Sequence, residues 1–333
     1  MIKIGMLSFA HLHAYSYAAS LKRVPHAELV GIYDADAMRG KDAAAQFDTV
    51  YYADCDALLS ADIDAVIICA ENAKHRELAL ASAAAGKHIL CEKPIATTME
   101  HAQEMIEVAK ANKVKLQIAF PCRFATPAIE VKQMLESGHI GQVLAVCATN
   151  HGTFPGGWFG DKKLAGGGAV MDHTVHVVDL LRWMLKTEVV SVYAEIGSRF
   201  HGRDIDDCGI LNLELDDGVI ATQDPSWSRL ECFPTWGDVT MEFVGDEGVT
   251  FLDLFRQKID LYSAEATKAM WIHWGDNMDQ RLIDDFVGML REGREPSITG
   301  EDGLRALEVT LAAYLSAQTG EKVALPLRAS PEA

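Results

Sequence analysis

The sequence has no apolar run long enough to cross a membrane. Its longest runs, such as Ala65–Ala70, are far shorter than the roughly 20 residues that a transmembrane helix needs. The N-terminus also lacks the basic segment and apolar stretch of a secretory signal, because a strand-like run, Ile2–Leu7, begins almost at once. We therefore expect a cytoplasmic protein without a membrane partner.

Positive charge and paired cysteines are also scarce. The chain has 30 Lys and Arg against 48 Asp and Glu, a formal net charge of −18. Proteins that bind nucleic acid cluster cations to neutralise phosphates, and no basic stripe is present, so we expect no nucleic-acid partner. The seven cysteines are scattered and form no Cys-x-x-Cys pair. This pattern predicts buried, reduced thiols.

What the sequence does have is the composition of a globular protein, with 49% hydrophobic and 23% charged residues over 333 positions. This length suggests about two domains. In the first third, short apolar runs such as Glu28–Asp34 and His88–Cys91 alternate with amphipathic stretches, one of which starts with a capping-box pattern at Thr97 and Glu100. This alternation predicts a doubly wound, mostly parallel α/β sheet, a Rossmann domain over residues 1–120.

The remaining residues, 121–333, have a different order of elements. A strong helical pattern over Val170–Leu185 is followed by strand-like segments from Val189 to Ser263. Helical patterns return at Met278–Arg291 and Gly303–Ser316. Strands and helices in separate blocks predict an α+β domain with a large, mostly antiparallel sheet.

The first strand leads into a loop that resembles a dinucleotide-binding turn without its glycines. Ser8, Ala10 and His13 occupy the positions of the three glycines. The small residues at the first two still allow a tight turn. Asp34 ends the second strand, where a carboxylate can accept hydrogen bonds from ribose hydroxyls and disfavour a 2′-phosphate. On these residues alone, a plain strand-turn-helix without a nucleotide is an equal alternative.

A second motif, Glu92-Lys93-Pro94, directly follows a predicted strand. Ligands of doubly wound sheets bind at that edge, and Pro94 restricts Lys93 to an extended conformation, which could direct its ammonium into a cleft. Taken alone, such a tripeptide is more often a surface turn.

The third motif is Gly166-Gly167-Gly168, which leads into a helix with Asp172 and His176 one turn apart. A carboxylate beside an imidazole fixes its tautomer and raises its basicity, which suits a general base. The alternative is a helix whose histidines are satisfied by partners in the core.

In combination these motifs resemble the glucose–fructose oxidoreductase, inositol dehydrogenase and rhizopine-catabolism family. The resemblance covers Glu92-Lys93-Pro94 with Arg123-Phe124, the helix from Gly166 to Trp183, and the segment Gly300–Ala306, with Leu325-Pro326 near the end. It implies a nicotinamide-dependent oxidoreductase that transfers a hydride between the cofactor and a hydroxyl or keto carbon of a sugar, cyclitol or related polyol.

The resemblance also implies roles for individual residues. Lys93 and His176 would form the catalytic pair from different domains, with Asp172 binding substrate and orienting the base. The predicted cofactor-binding residues are Ser8, Phe9, Ala10, His11, Asp34, Cys69, Ala70, Asn72, His75, Glu92 and Lys93, although in the segment Cys69–Asn72 only Asn72 matches the family's pattern. The predicted substrate contacts are Arg123, His151, Trp158, Asp161, Asp172 and His173.

Four expectations concern ligands and partners. Asp34 favours NAD over NADP, although the loop without glycines leaves cofactor identity open. Trp158 and Phe159 lie in a Gly-rich loop, where a ring could stack on a sugar face or simply anchor the loop. A broad antiparallel sheet needs its outer face covered, which predicts a homodimer or homotetramer. No metal is expected.

Other classes of function remain open at this point. Asp172, His173 and His176, joined by His11, His13 or His151, could hold a divalent metal for a hydrolase or isomerase. Asp172 and His173 point about 100° apart on a helix, which disfavours one shared ion. A permanently held NAD could support elimination, hydrolysis or epimerisation on a sugar derivative. A regulator that kept the fold and lost catalysis is the non-enzyme alternative.

Overall fold

The first third of the chain folds into a parallel six-stranded sheet. The computed structural model describes residues 1–265 and 267–327. The strand order is β3-β2-β1-β4-β5-β6, and every pair is parallel. The strands are β1 Ile2–Leu7, β2 Ala27–Tyr33, β3 Val50–Tyr52, β4 Ala65–Ile68, β5 His88–Glu92 and β6 Leu116–Ala119; the helices are α1 His13–Leu21, α2 Ala37–Gln46, α3 Cys55–Leu59, α4 His75–Ala84 and α5 Met99–Ala111.

The rest of the chain builds a larger mixed sheet. Its elements are α6 Thr126–Glu136, β7 Val143–Gly152, α7 Lys162–Ala165, α8 Ala169–Leu185, β8 Val189–Gly197, β9 Cys208–Leu215, β10 Ile220–Ser226, β11 Gly237–Gly245, β12 Val249–Asp253, β13 Lys258–Ser263, β14 Lys268–His273, α9 Met278–Glu292, α10 Gly300–Thr319 and β15 Val323–Ala324. The seven-stranded order is β12-β11-β7-β10-β9-β8-β15, and only β7 and β10 pair in parallel. Strands β13 and β14 form a separate antiparallel ribbon. The predicted fold class, a Rossmann domain followed by an α+β domain, is confirmed.

The chain divides into two compact units that are not continuous in sequence. Of the described residues, the first contains 1–121, 164–166 and 277–304, and the second contains 122–163, 167–265, 267–276 and 305–327. The first unit therefore includes α9, which the sequence assigned to the second domain. The reason is packing, because α9 contacts α1 and β1 and buries Leu282, Ile283 and Phe286 completely.

Each unit has its own core. In the first, all four residues of β4 are fully buried, as expected for a parallel strand covered on both faces. In the second, strands β7, β9 and β10 alternate buried and exposed residues and pack one face against α8. Their opposite face carries no helix from the described residues that packs against it as α8 does.

The helices and the cysteines bear on two of the sequence-based expectations. No helix within residues 1–265 and 267–327 is long and apolar enough to span a bilayer. None of the seven cysteines, all of which are described, forms a disulfide. Three of them are buried, but Cys147 and Cys232 are exposed, so the prediction of buried thiols was wrong for those two.

Candidate active site

The loop between β1 and α1 makes a tight turn without glycine. Ser8, at the first fingerprint position, has φ +73°, a left-handed conformation that normally favours glycine. Its hydroxyl accepts a hydrogen bond from the backbone N–H of Ala10 at 3.1 Å. The N–H of His11 donates to the carbonyl of Cys69 at 2.9 Å, which fixes this loop against the segment after β4.

Asp34 lies at the end of β2 with its carboxylate fully buried. Arg39 donates two hydrogen bonds to it, at 2.8 and 2.7 Å, and the backbone N–H groups of Phe9 and Asp36 donate at 2.7 and 2.8 Å. Ribose hydroxyls would have to replace some of these donors. The ring of Phe9 packs on Tyr15 with centroids 5.1 Å apart, so only its backbone is suited to contact a cofactor.

The segment after β4 that carries predicted cofactor-binding residues contacts the segment after β5. His75 Nδ1 lies 2.9 Å from the carbonyl oxygen of Pro94 and His75 Nε2 lies 3.2 Å from that of Ala70, and the ring is fully buried. Burial lowers the pKa of His75, so the ring is neutral near pH 7. His75 therefore ties the two segments together. Asn72 donates to the carbonyl of Ala165 at 2.8 Å.

The end of β5 carries a buried carboxylate surrounded by imidazoles. Glu92 Oε1 lies 2.9 Å from His13 Nδ1, and the Tyr17 hydroxyl lies 3.3 Å from the same nitrogen. Burial raises the pKa of Glu92, but the neighbouring imidazoles of His11 and His13 lower it by more than this. The net pKa is therefore below its usual value, and the carboxylate is ionised. Burial lowers the pKa of His13, and Glu92 more than offsets this and raises it. Lys93 follows and is 4% exposed, with a cis peptide bond to Pro94.

Sequence reasoning missed His13 as a functional residue. The sequence indicated it only as the departure at the third glycine position and as a possible additional ligand of the alternative metal site on α8. The signal was the pair of imidazoles at positions 11 and 13 beside a strand-end carboxylate. Across residues 1–265 and 267–327, His11, His13 and Glu92 form the only group of three or more metal-ligating side chains whose ligand atoms all lie within 4.8 Å of one another. The alternative metal site on Asp172, His173 and His176 does not form such a group.

In the second unit, α8 begins on side chains that cap its backbone. Asp206 accepts hydrogen bonds from the N–H groups of Gly168 at 2.8 Å and Val170 at 2.9 Å. The Tyr314 hydroxyl accepts from Met171 at 3.1 Å and donates to Asp206 at 2.9 Å. A Cβ at Gly168 would lie 1.8 Å from the Asp206 carbonyl oxygen, so this close approach requires glycine.

The candidate catalytic face of α8 carries three polar residues that are nearly buried. Asp172 Oδ2 lies 3.3 Å from His173 Nε2 and accepts a hydrogen bond from Trp227 Nε1 at 3.3 Å. His176 Nδ1 lies 3.7 Å from the sulfur of Cys122. The structure thus brings Asp172 and His173 together, and orientation of His176 by Asp172 stays a prediction.

Arg123 supports α8 from its opposite end. Its guanidinium binds the Asp179 carboxylate through two hydrogen bonds, at 2.8 and 2.6 Å, and lies over the ring of Trp183. Both partners of this ion pair are buried. Arg123 therefore holds the segment after residue 121 on α8, and its predicted contact with substrate is not tested.

The other predicted substrate residues lie in different surroundings. His151 hydrogen-bonds Asp224 and Asp238 on the sheet face opposite α8, so it is not brought together with Asp172 and His176. Trp158 stacks on Phe159 at 3.9 Å and packs against the cluster that contains Trp227. This packing is what the anchoring alternative expects, and the contact of Trp158 with substrate stays a prediction. Asp161 is exposed and caps Lys163.

Comparison with known proteins defines first the class of protein. The family profile described as "Oxidoreductase family, NAD-binding Rossmann fold" matches residues 2–120. The profile "GFO/IDH/MocA C-terminal domain" matches residues 128–250. The chain is therefore an oxidoreductase with an NAD-binding Rossmann fold. More particularly, it belongs to the GFO/IDH/MocA family, which confirms the resemblance seen in the sequence.

Individual relatives agree with this assignment. A 1,5-anhydro-D-fructose reductase of Ensifer adhaerens is 30% identical over 269 residues, 78% of this chain and 79% of that protein. A myo-inositol 2-dehydrogenase of Thermotoga maritima is 26% identical and covers 97% of this chain and 98% of that protein. Among solved structures, GenD2 from gentamicin A biosynthesis in complex with NAD has a TM-score of 0.89 at 26% identity, covering 98% of this chain and 97% of that one.

Proposed function

We propose that this protein is an NAD-dependent dehydrogenase or reductase acting on a hydroxyl or keto carbon of a sugar or cyclitol. The observation that supports this most is the match to the family over both units, with Lys93 at the end of β5 and His176 on α8 in the expected motifs. The named activities of the similar proteins, a reductase of an anhydro-sugar and an inositol dehydrogenase, support a polyol substrate.

The residues at the carboxyl edge of the first sheet fit a dinucleotide. Among the described side chains, Asn72 has a buried oxygen without a hydrogen-bond partner at this edge. Ser8, Ala10 and Ala70 are small, so a ligand could approach the backbone there. Asp34, Asn72, Glu92 and Lys93 would hold the cofactor, which supplies the hydride acceptor or donor when bound.

NAD is preferred over NADP in this proposal because of Asp34. A buried carboxylate at the end of β2 disfavours a 2′-phosphate and accepts hydrogen bonds from ribose hydroxyls. Arg39 is ion-paired with this carboxylate, and part of that contact must break when a ribose binds there. Fluorescence titration with NADH and NADPH tests the preference. We expect tighter binding of NADH, and equal or tighter binding of NADPH would contradict it.

His176 and Lys93 have complementary roles in the proposed oxidation. His176 removes the proton of the substrate hydroxyl, while a hydride leaves the carbon that bears this hydroxyl. The alcohol thereby becomes a carbonyl. Lys93 donates a hydrogen bond to that oxygen and stabilises the negative charge that develops on it. Asp172 binds a substrate hydroxyl. A positioned base contributes about 10²–10⁴-fold in rate.

A screen of sugars and cyclitols with NAD and with NADP tests this function. We expect reduced cofactor to form with at least one cyclic polyol, myo-inositol among the candidates, and faster with NAD. If no polyol reduces either cofactor and no keto form oxidises NADH, the proposal is wrong. Cofactor that co-purifies and turns over without net reduction would favour the alternative of a permanently held NAD.

A further inference from the structure

The loop after β1 and the end of β5 bring two imidazoles to one carboxylate. His11, His13 and Glu92 each offer one ligand atom, and these atoms lie within 4.8 Å of one another. His13 Nδ1 and Glu92 Oε1 lie 2.9 Å apart. The rings of His11 and His13 meet edge to face with centroids 4.5 Å apart. All three residues belong to the first unit, so the cluster is formed by a single compact body.

The cluster is largely removed from solvent. The Glu92 side chain is fully buried, His11 is 4% exposed and the His13 side chain is 32% exposed. A buried carboxylate is costly unless cations or hydrogen-bond donors match it. The Tyr17 hydroxyl lies within hydrogen-bond distance of His13. Polar groups therefore converge on one point that has a limited opening to solvent.

The turn is held by backbone contacts and by one imidazole, since His11 Nδ1 accepts a hydrogen bond from the N–H of His13 at 3.2 Å. Ser8 adopts the left-handed conformation, and the loop is fixed by the backbone hydrogen bond from His11 to Cys69. At the third fingerprint position a small residue would allow closer packing of helix on strand. His13 replaces it and directs a ring at Glu92. The loop therefore brings both imidazoles to the buried carboxylate of Glu92.

We propose that His11, His13 and Glu92 bind one divalent cation of the zinc class. Two imidazole nitrogens and one carboxylate oxygen are the three protein ligands typical of zinc sites that keep a fourth position open. Mg²⁺ and Ca²⁺ prefer oxygen-only sets, so this donor set selects against them. The cation would clamp the β1–α1 loop to β5 and neutralise Glu92.

Small adjustments convert the observed arrangement into a coordination sphere. Ligand atoms around a tetrahedral ion with bonds of about 2.0–2.2 Å lie roughly 3.3 Å apart. His13 Nδ1 and Glu92 Oε1, now 2.9 Å apart, must therefore move slightly apart. Any ligand atoms of the cluster that lie farther apart than about 3.3 Å must move closer together. His11 Nδ1 accepts a long hydrogen bond, 3.2 Å, from the N–H of His13. Coordination exchanges that contact for a metal–nitrogen bond.

Cobalt titration of the metal-free, full-length protein tests the site. Co²⁺ in a nitrogen and oxygen site of low coordination number gives visible absorption, which we expect to saturate at one equivalent. His13→Gln and Glu92→Gln should each weaken binding at least tenfold. His139→Gln, which removes an exposed histidine outside the cluster, is the matched control and should leave the titration unchanged. A circular dichroism spectrum confirms that each variant is folded.

A second measurement does not depend on variants. X-ray absorption at the zinc edge of the wild-type, zinc-loaded protein should show only nitrogen and oxygen neighbours at about 2.0–2.2 Å, with the outer scattering of two imidazoles. A sulfur shell, no saturable cobalt band, or the same band in both cluster variants would overturn the proposal. NADH binding, followed separately by fluorescence, reports on the proposed dehydrogenase function, so each idea can fail without the other.

Discussion

At the scale of single residues, one histidine makes the stability of the second unit depend on pH. His151 lies 3.1 Å from Asp224 and 3.0 Å from Asp238, and Arg229 binds the other oxygen of Asp238. Burial lowers the pKa of His151, but hydrogen bonds to Asp224 and Asp238 outweigh this and raise it to about 9. The ring is therefore protonated at neutral pH.

Because this folded-state pKa is above the unfolded value, protonated His151 stabilises the fold. The contribution is complete below about pH 6.5 and is lost as the pH rises through about 9. We expect His151→Gln to lower the free energy of unfolding by about 1 kcal/mol near pH 6, since Asp224 is half exposed and solvent screens the pair.

Thermal unfolding of His151→Gln and of the wild type between about pH 6 and about pH 9 tests this prediction. The difference between them should shrink as the pH rises from about 6.5 to about 9, and the control His139→Gln should show no such trend. A constant difference at all pH values would mean that charge on His151 does not stabilise the fold.

Residue roles were predictable where a motif fixes a position along the chain. Asp34 and Glu92-Lys93-Pro94 end strands as expected. Their partners were not predictable, because the ion pair of Asp34 with Arg39 and that of Arg123 with Asp179 depend on packing. His151 shows the same limit. It was predicted as a substrate contact, and strand alternation, which depends on the register of the whole sheet, places it on the face away from α8; the contact itself stays a prediction.

At the scale of elements, the start of α8 depends on a glycine. Gly168→Ala would place a Cβ 1.8 Å from the carbonyl oxygen of Asp206, a backbone atom that cannot rotate away. We expect a loss of about 1–3 kcal/mol in the free energy of unfolding, because the overpacked helix start must move. Activity should fall with it, since α8 carries His176. Chemical denaturation measures the change.

A matched glycine exists in α9. At Gly288 an added Cβ meets only Arg294 Nη2, at 3.9 Å. Gly288→Ala should therefore stabilise the protein by about 0.5–1 kcal/mol, because alanine is the better helix former. If the two substitutions had equal effects, the close approach of α8 to Asp206 would not be what requires glycine.

Most elements were predictable, and their ends were not. The helix expected to start with a cap at Thr97 is α5, and its N-cap is Thr98, which accepts a hydrogen bond from the N–H of His101 at 3.2 Å. The prediction at Thr97 was wrong by one residue because neighbouring threonines offer the same chemistry. Strand β3, three residues long, was missed because so short a run has no readable period.

At the scale of the whole molecule, the uncovered face of the large sheet is apolar in part. Ile210 on β9 and Ile220 on β10 are 50% and 60% exposed, and Phe251 on β12 is 51% exposed. Side chains this apolar on a sheet face indicate a surface that another chain covers. We expect a homodimer or homotetramer that buries this face.

Light scattering after size-exclusion chromatography tests the assembly. The wild type should have the mass of two or four chains, and the double variant Ile210→Asp, Ile220→Asp should shift toward the monomer. Met38→Asp changes an exposed apolar residue in the first unit and is the control. A monomeric wild type would rule out the assembly.

The order of units along the chain could be predicted, but their composition could not. A change in the rhythm of strands and helices marks the region near residue 120. That α9 returns to the first unit depends on long-range contacts, such as the 2.6 Å hydrogen bond from Ser16 to Asp279. No local pattern encodes such a contact.

The central claim is that Lys93 and His176 serve the same hydride transfer. The most direct measurement compares turnover and NADH binding for Lys93→Ala, His176→Ala and the double variant on the polyol found by the screen. We predict a loss of about 10²–10⁴-fold in turnover for each single variant, little further loss in the double variant, and NADH binding retained in His176→Ala. Near-normal turnover in either single variant would contradict the account.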